Sequence, residues 1–238
     1  MANLLIFGAS RGLGAALSTG VPTPGDNVWL LSRTRPGLER RDGIKRYWIE
    51  ADLASADVNR TVAQALNGLP VDVLIYNAGI WEEHAFTSAY NFEQVSEAET
   101  QQIMLVNLLS AITCVQSLLP NLRQTPHGKI ILIGSTSGLD NSGSREVAYV
   151  ASKYGLRGFA HALRENVRND GIAVTCINPG EIAAEIPYER GVEDAIAAYG
   201  GTRIPVHDLV AIVRCLIGLS SAACVKEIDV PALTDRNA

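Results

Sequence analysis

Apolar residues gather in short, almost unbroken runs: Leu4–Phe7, Val28–Leu31, Tyr47–Ile49, Val71–Tyr76, Lys129–Ile133 and Ala173–Ile177. Runs without strict alternation mark strands covered on both faces, the condition of a parallel sheet. Two longer segments, Glu97 to Leu119 and Tyr149 to Arg168, carry their apolar residues at helical spacing. Strand and helix in repetition predict an α/β fold, a doubly wound parallel β-sheet with helices on both faces and right-handed crossovers. Pro22-Thr23-Pro24-Gly25 should end the first helix, because proline cannot continue the hydrogen-bond ladder. Cys224 to Val230 reads as an edge strand. No proline- or serine-rich linker and no repeat divides the chain, so residues 1–238 are expected to form a single domain.

Composition narrows the function classes. With 47% hydrophobic and 19% charged residues the profile is that of a globular protein. A net charge of -5 argues against a nucleic-acid partner. The cluster Arg33, Arg35, Arg40 and Arg41 is short enough to be local anion binding or a solvated face. Four scattered cysteines, Cys114, Cys176, Cys215 and Cys224, without a C-x-x-C pair or a nearby histidine, read as buried thiols in a reducing compartment. No metal site is expected. With no leader segment and no unbroken apolar run of about 18 residues, neither a membrane partner nor export is expected, which leaves the cytoplasm.

The first candidate site is Gly8-Ala9-Ser10-Arg11-Gly12-Leu13-Gly14, which leaves a strand and opens a helix. Glycines there permit a tight turn and let backbone N–H groups reach a pyrophosphate at the helix N-terminus. The second strand ends Leu31-Ser32-Arg33 without an acid. An acid would bind the ribose hydroxyls of NAD and repel a 2′-phosphate, whereas Arg33 with Arg11 would clamp one. The expected cofactor is therefore NADP(H), with NAD(H) second. Further along, Tyr149 and Lys153 stand four apart at the start of a helix and share a face. An ammonium there would stabilise a tyrosinate and lower the phenol's pKa, suiting Tyr149 to act as general acid or base.

The G-x-x-x-G-x-G spacing, Asp52-Leu53, Asn77-Ala78-Gly79, Asn107, Ser135, Tyr149-x-x-x-Lys153 and Asn178-Pro179-Gly180 occur in the order of a known family. From Leu4 to Ile182 the chain resembles the short-chain dehydrogenases/reductases. The resemblance implies a Rossmann-like domain and catalysis by Asn107, Ser135, Tyr149 and Lys153. Tyr149 would be the acid–base group, Ser135 would bind the substrate carbonyl, Lys153 the nicotinamide ribose, and Asn107 a water of a proton relay. It also implies cofactor contacts at Gly8, Ser10, Arg11, Gly12, Leu13, Gly14, Arg33, Asp52, Leu53, Asn77, Ala78, Gly79, Pro179, Gly180 and Ile182, besides Tyr149 and Lys153. Homodimers or homotetramers are common in the family, through the helices carrying Asn107 and Tyr149. The chain departs from the family pattern at Phe7 (usually Thr), Tyr76 (often Asn), Ala184 (often Thr) and in lacking a terminal Asp-Gly-Gly. Phe7 and Tyr76 should change hydrogen bonding near the loop, and Ala184 should leave the nicotinamide to backbone groups.

The function expected is interconversion of a carbonyl and a secondary alcohol, as a ketone or carbonyl reductase acting on a small molecule. The alternatives are epimerisation, dehydration or enone reduction in a biosynthetic pathway, and a non-enzymatic NADP-binding sensor. The substrate pocket should lie between Ile80–Phe92, which holds Trp81, His84, Phe86 and Tyr90, and Glu181–Pro205, with Tyr188, Tyr199 and a Gly200-Gly201 hinge.

Overall fold

The computed structural model describes residues 1–140 and 142–235. Its seven strands are β1 (Asn3–Phe7), β2 (Asn27–Ser32), β3 (Lys45–Glu50), β4 (Val73–Tyr76), β5 (Lys129–Ile133), β6 (Ala173–Pro179) and β7 (Glu227–Val230). They form one sheet in the order β3-β2-β1-β4-β5-β6-β7. Every pairing is parallel. The helices are α1 (Gly12–Gly20), α2 (Val58–Leu66), α3 (Glu97–Met104), α4 (Ser110–Leu122), α5 (Val147–Asn166), α6 (Val192–Tyr199) and α7 (Val206–Gly218).

The unbroken apolar runs become two separate cores. Leu5 and Phe7 of β1 pack with α2, α4 and α5 residues on one face, while Leu4 and Ile6 pack with α1 and α7 residues on the other. Successive side chains point to opposite faces, so both sets must be apolar when both faces are covered. β3 is the exception among the expected inner strands. It is an edge strand with Tyr47 44% exposed, and its alternation of exposed and covered residues reflects one open side. Two of the four cysteines, Cys215 and Cys224, are exposed, against the expectation that all are buried.

Between α3 and α4 the backbone makes a π-helical turn, Leu105–Leu109. The continuous helix Glu97–Leu122 contains an 18-residue window of mean hydropathy 1.8 and, by length and composition alone, could cross a membrane. Counting unbroken apolar runs passes over it because polar residues interrupt the sequence. In the fold, Ile103, Val106, Ala111, Cys114, Leu118 and Leu122 of this helix are buried.

After β1 the chain moves outward to β2 and β3, then returns to lay β4 against the other side of β1. The crevice at the carboxyl ends of β1 and β4 is the switch point where open α/β sheets bind ligands.

Candidate active site

A cavity of about 810 Å³ opens at that switch point. Its floor includes Gly8, Ser10, Arg11, Gly12 and Leu13, with Asn77, Ala78 and Gly79 after β4 and Asp52 and Leu53 after β3. Gly8 takes φ +72 and a Cβ there would lie 2.9 Å from Ala78 Cα, so only glycine lets the two loops meet. Gly14 does not line the cavity; a Cβ on it would lie 2.0 Å from Gly8 O, so it serves the packing of α1 beneath the loop. Asn77 Nδ2 donates to Gly8 O at 3.2 Å and ties the loops together. No side chain caps α1, and its first turn holds no acid. Its leading N–H groups and positive dipole end therefore face the cavity free for an anion.

Arg11 and Arg33 both line the cavity and are exposed; among the described residues neither has an ion-pair partner. Arg40 lines it too, but pairs with Glu189 at 2.5 Å, joining the segment after β2 to the segment after β6. A dinucleotide fits this set of donors: glycine loop and bare helix end for the pyrophosphate, unpaired guanidinium groups at the β2 end. The wall after β6 is Ala184, Glu185, Ile186, Pro187, Tyr188 and Glu189 rather than Pro179, Gly180 and Ile182. Gly180 instead packs on the returning C-terminal segment at Pro231 and Ala232, and Ile182 bridges to Ile204. Residues 185–189 fall within the Glu181–Pro205 segment expected to wall the pocket, and Tyr188 is the one aromatic of that segment that lines the cavity. Tyr199 lies away from the cavity, its ring 4.2 Å from the Arg203 guanidinium, and Gly200, at φ +56, ends α6 as a left-handed cap rather than a hinge in open chain.

Asn107, Ser135, Tyr149 and Lys153 come together from three elements and are all buried. Asn107 sits in the π-helical turn, where its amide accepts from Ile80 N at 2.8 Å and donates to Ile80 O at 2.8 Å and Ser152 Oγ at 2.9 Å. That side chain holds the loop after β4 against α5. Beneath it, Phe7 and Tyr76 are register partners whose rings lie 5.0 Å apart. Tyr76 Oη donates to the Val106 carbonyl at 2.6 Å and contacts Ser110 Oγ at 2.5 Å. The two departures from the family pattern are thus one packed pair that supports the π turn.

Burial, the largest influence, holds the Tyr149 phenol above its usual pKa; a hydrogen bond with the Ser135 side chain opposes this, while the carboxylates of Glu146 and Glu82 add to it. This reverses the expected lowering by Lys153. The Lys153 ammonium stands 5.5 Å from the Tyr149 ring centre and donates to the Ile133 carbonyl at 3.1 Å. Complete burial lowers its own pKa to about 8. Desolvation disfavours the charged form of each group, so it pushes the phenol and the ammonium in opposite directions.

Three first-turn N–H groups of α5 are taken by the loop after β4. Val147 N donates to Tyr90 Oη at 2.9 Å, and Ala148 N and Tyr149 N donate to Glu82 Oε1 at 2.8 and 3.2 Å. Glu82 is 1% exposed, and Glu146, also buried, accepts from Phe86 N at 2.8 Å. These carboxylates were not identified from the chain; an acid 66 residues upstream gives no local capping signal. His84 is exposed.

The profile of the short chain dehydrogenase family matches residues 2–193. Ketoacyl reductase HetN of Nostoc sp. is 32% identical over 189 residues, covering 76% of this chain and 63% of the relative. A rhamnolipids biosynthesis 3-oxoacyl-(acyl-carrier-protein) reductase of Pseudomonas aeruginosa is 30% identical, covering 76% of this chain and 73% of the relative. The fold matches the alcohol dehydrogenase of the archaeon Thermococcus sibiricus, complexed with 5-hydroxy-NADP, at TM-score 0.79 and 21% identity over 99% of this chain and 98% of that one. A cavity over a glycine loop and a buried Ser-Tyr-Lys cluster beside it agree with these matches: the chain belongs to the short-chain dehydrogenase/reductase family of oxidoreductases.

Proposed function

We propose that this protein is an NADP(H)-dependent reductase that converts a ketone to a secondary alcohol, and back. The observation that carries the reading is the Tyr149 phenol, buried with Ser135, and with the Lys153 ammonium 5.5 Å from its ring centre. In reduction the substrate carbon gains a hydride and its oxygen a proton, so the ketone takes up two electrons. The dinucleotide, when bound, supplies the hydride. Tyr149 Oη holds the proton and delivers it to the carbonyl oxygen, and Ser135 Oγ orients that oxygen. A phenol kept neutral by burial is in the correct form to donate. Lys153 sets the electrostatics beneath the ring and reaches toward Gly79, where even a Cβ would come within 3.4 Å of its Nζ.

The cofactor preference rests on charge. Arg33, just after β2, and Arg11, at the start of α1, both line the cavity, and an acid at the end of β2 would reject a phosphate. Leu109, Val147 and Tyr154 stay exposed on the helical face, which supports assembly into a homodimer or homotetramer there. The test is fluorescence titration of the protein and Arg33→Ala with NADPH and NADH. The expected result is NADPH selectivity that falls at least tenfold in the variant. Equal loss for both dinucleotides would remove the assignment of a 2′-phosphate site.

A further inference from the structure

The loop after β4 leaves two large rings in the open beside the phenol. Trp81 is 57% exposed and Phe86 is 55% exposed. Both stand edge-on to the Tyr149 ring, with centres 6.4 and 5.5 Å from it, and their own centres are 6.0 Å apart. Trp81 also lines the main cavity, so its indole belongs to both the cofactor groove and the acid–base centre. Folding alone gains by burying such rings, not by displaying them.

Their display is held in place. Phe86 takes φ +62, in the left-handed region that a bulky side chain rarely enters. Buried Glu146 fixes that backbone by accepting its N–H, and buried Glu82, the residue after Trp81, is anchored by accepting from the first turn of α5. Ala85, just before Phe86 in the chain, is buried. The segment is therefore pinned at both ends to the helix that carries Tyr149, and the rings keep a set distance from the phenol. Beyond Phe86 lies a second pocket of about 400 Å³ with Thr87, Thr136, Ser142 and Ser144 in its wall, so space continues past the rings.

We infer that Trp81 and Phe86 form a rigid aromatic subsite for a flat apolar group attached directly to the reacting carbon, so that aryl ketones and the matching aryl carbinols are the preferred substrates. The inference rests on the acid–base reading of Tyr149. Rings edge-on to the phenol accept a planar substituent in offset or edge-to-face contact. A saturated ring of equal size lacks both the flat face and the polarised edge.

The test compares acetophenone with cyclohexyl methyl ketone, which has the same carbon skeleton. NADPH consumption gives kcat/KM, and calorimetric titration of the NADP⁺-saturated protein, which has no hydride to transfer to a ketone, gives binding independently of turnover. The wild type should favour acetophenone at least tenfold in kcat/KM. Trp81→Leu and Phe86→Leu should each cut that ratio about tenfold, the size expected for losing one aromatic contact. Urea unfolding checks that each variant is folded, and either one suffices. Equal handling of the two ketones, or a ratio that neither variant changes, overturns the subsite. If no NADPH is consumed but acetophenone still binds saturably and Phe86→Leu weakens it, the subsite stands and the reductase reading falls. If acetophenone does not bind and the variants instead change the oligomeric mass in size-exclusion chromatography, the rings are a contact between copies of the chain and the proposal fails.

Discussion

Lys153→Met should make the cofactor-free protein more stable near neutral pH while abolishing its chemistry. Lys153 Nζ is fully buried, and its pKa falls from 10.5 to about 8, chiefly through desolvation. At about 1.4 kcal/mol per unit, that shift corresponds to about 3 kcal/mol lost by burying the charge. Methionine fills similar space without charge, but leaves the Ile133 carbonyl without the lysine's hydrogen bond, which offsets about 1 kcal/mol. The net gain expected is about 2 kcal/mol, of the size seen when activity is held at the expense of stability. Below pH 8 native and unfolded states both carry the proton, so the full difference is present. Between pH 8 and 10.5 the native state releases the proton while the unfolded chain keeps it, so wild-type stability rises with pH across that window. By about pH 9.5 the wild type should have recovered about 2 kcal/mol and the variant's advantage should have closed. Urea unfolding of both proteins from pH 6.5 to 9.5 measures this directly, and other titrations largely cancel in the difference. A variant less stable than wild type at pH 7, or an advantage independent of pH, would refute the account of Lys153 as a desolvated charge.

Glu82→Ala should destabilise the fold by about 1–3 kcal/mol, because two first-turn N–H groups of α5 lose their acceptor. Glu82→Gln should recover most of that, and chemical unfolding that finds the alanine variant unchanged would remove Glu82 as the cap. Tyr76→Phe should cost about 1–2 kcal/mol through the lost buried contacts to Val106 and Ser110, read by the shift of the urea midpoint. Tyr149→Phe should lower kcat by about 100-fold or more with NADPH affinity nearly unchanged; turnover near the wild-type rate would assign the proton to another group.

The strands were legible in the chain because a two-sided parallel sheet demands apolar residues at consecutive positions, and Leu4 to Phe7 or Lys129 to Ile133 display that without help from distant residues. The glycine loop was legible for a similar local reason, three closely spaced glycines leaving a strand and opening a helix; the approach of Ala78 to Gly8 appears only in the fold. Tyr149 and Lys153 share a face because four residues make one helical turn, which is also local. Other features depend on pairs far apart in sequence. The sign of the Tyr149 shift is set chiefly by burial, and the Glu146 and Glu82 carboxylates only add to it, Glu82 standing beside α5 only once the loop has folded across it. The Phe7–Tyr76 pair is a matter of strand register, and the commitment of Asn107 to Ile80 depends on the π turn. The cavity wall at 185–189 carries no motif, since a loop that lines a groove needs only to be placed there. The chain by itself therefore determined the layers, the glycine loop and the shared helical face of Tyr149 and Lys153, which rest on periodicity and backbone conformation. Tertiary structure alone decided the desolvation of Tyr149 and Lys153, the capping of their helix and the exposure of Trp81 and Phe86, because burial and long-range hydrogen bonds are properties of the packed molecule.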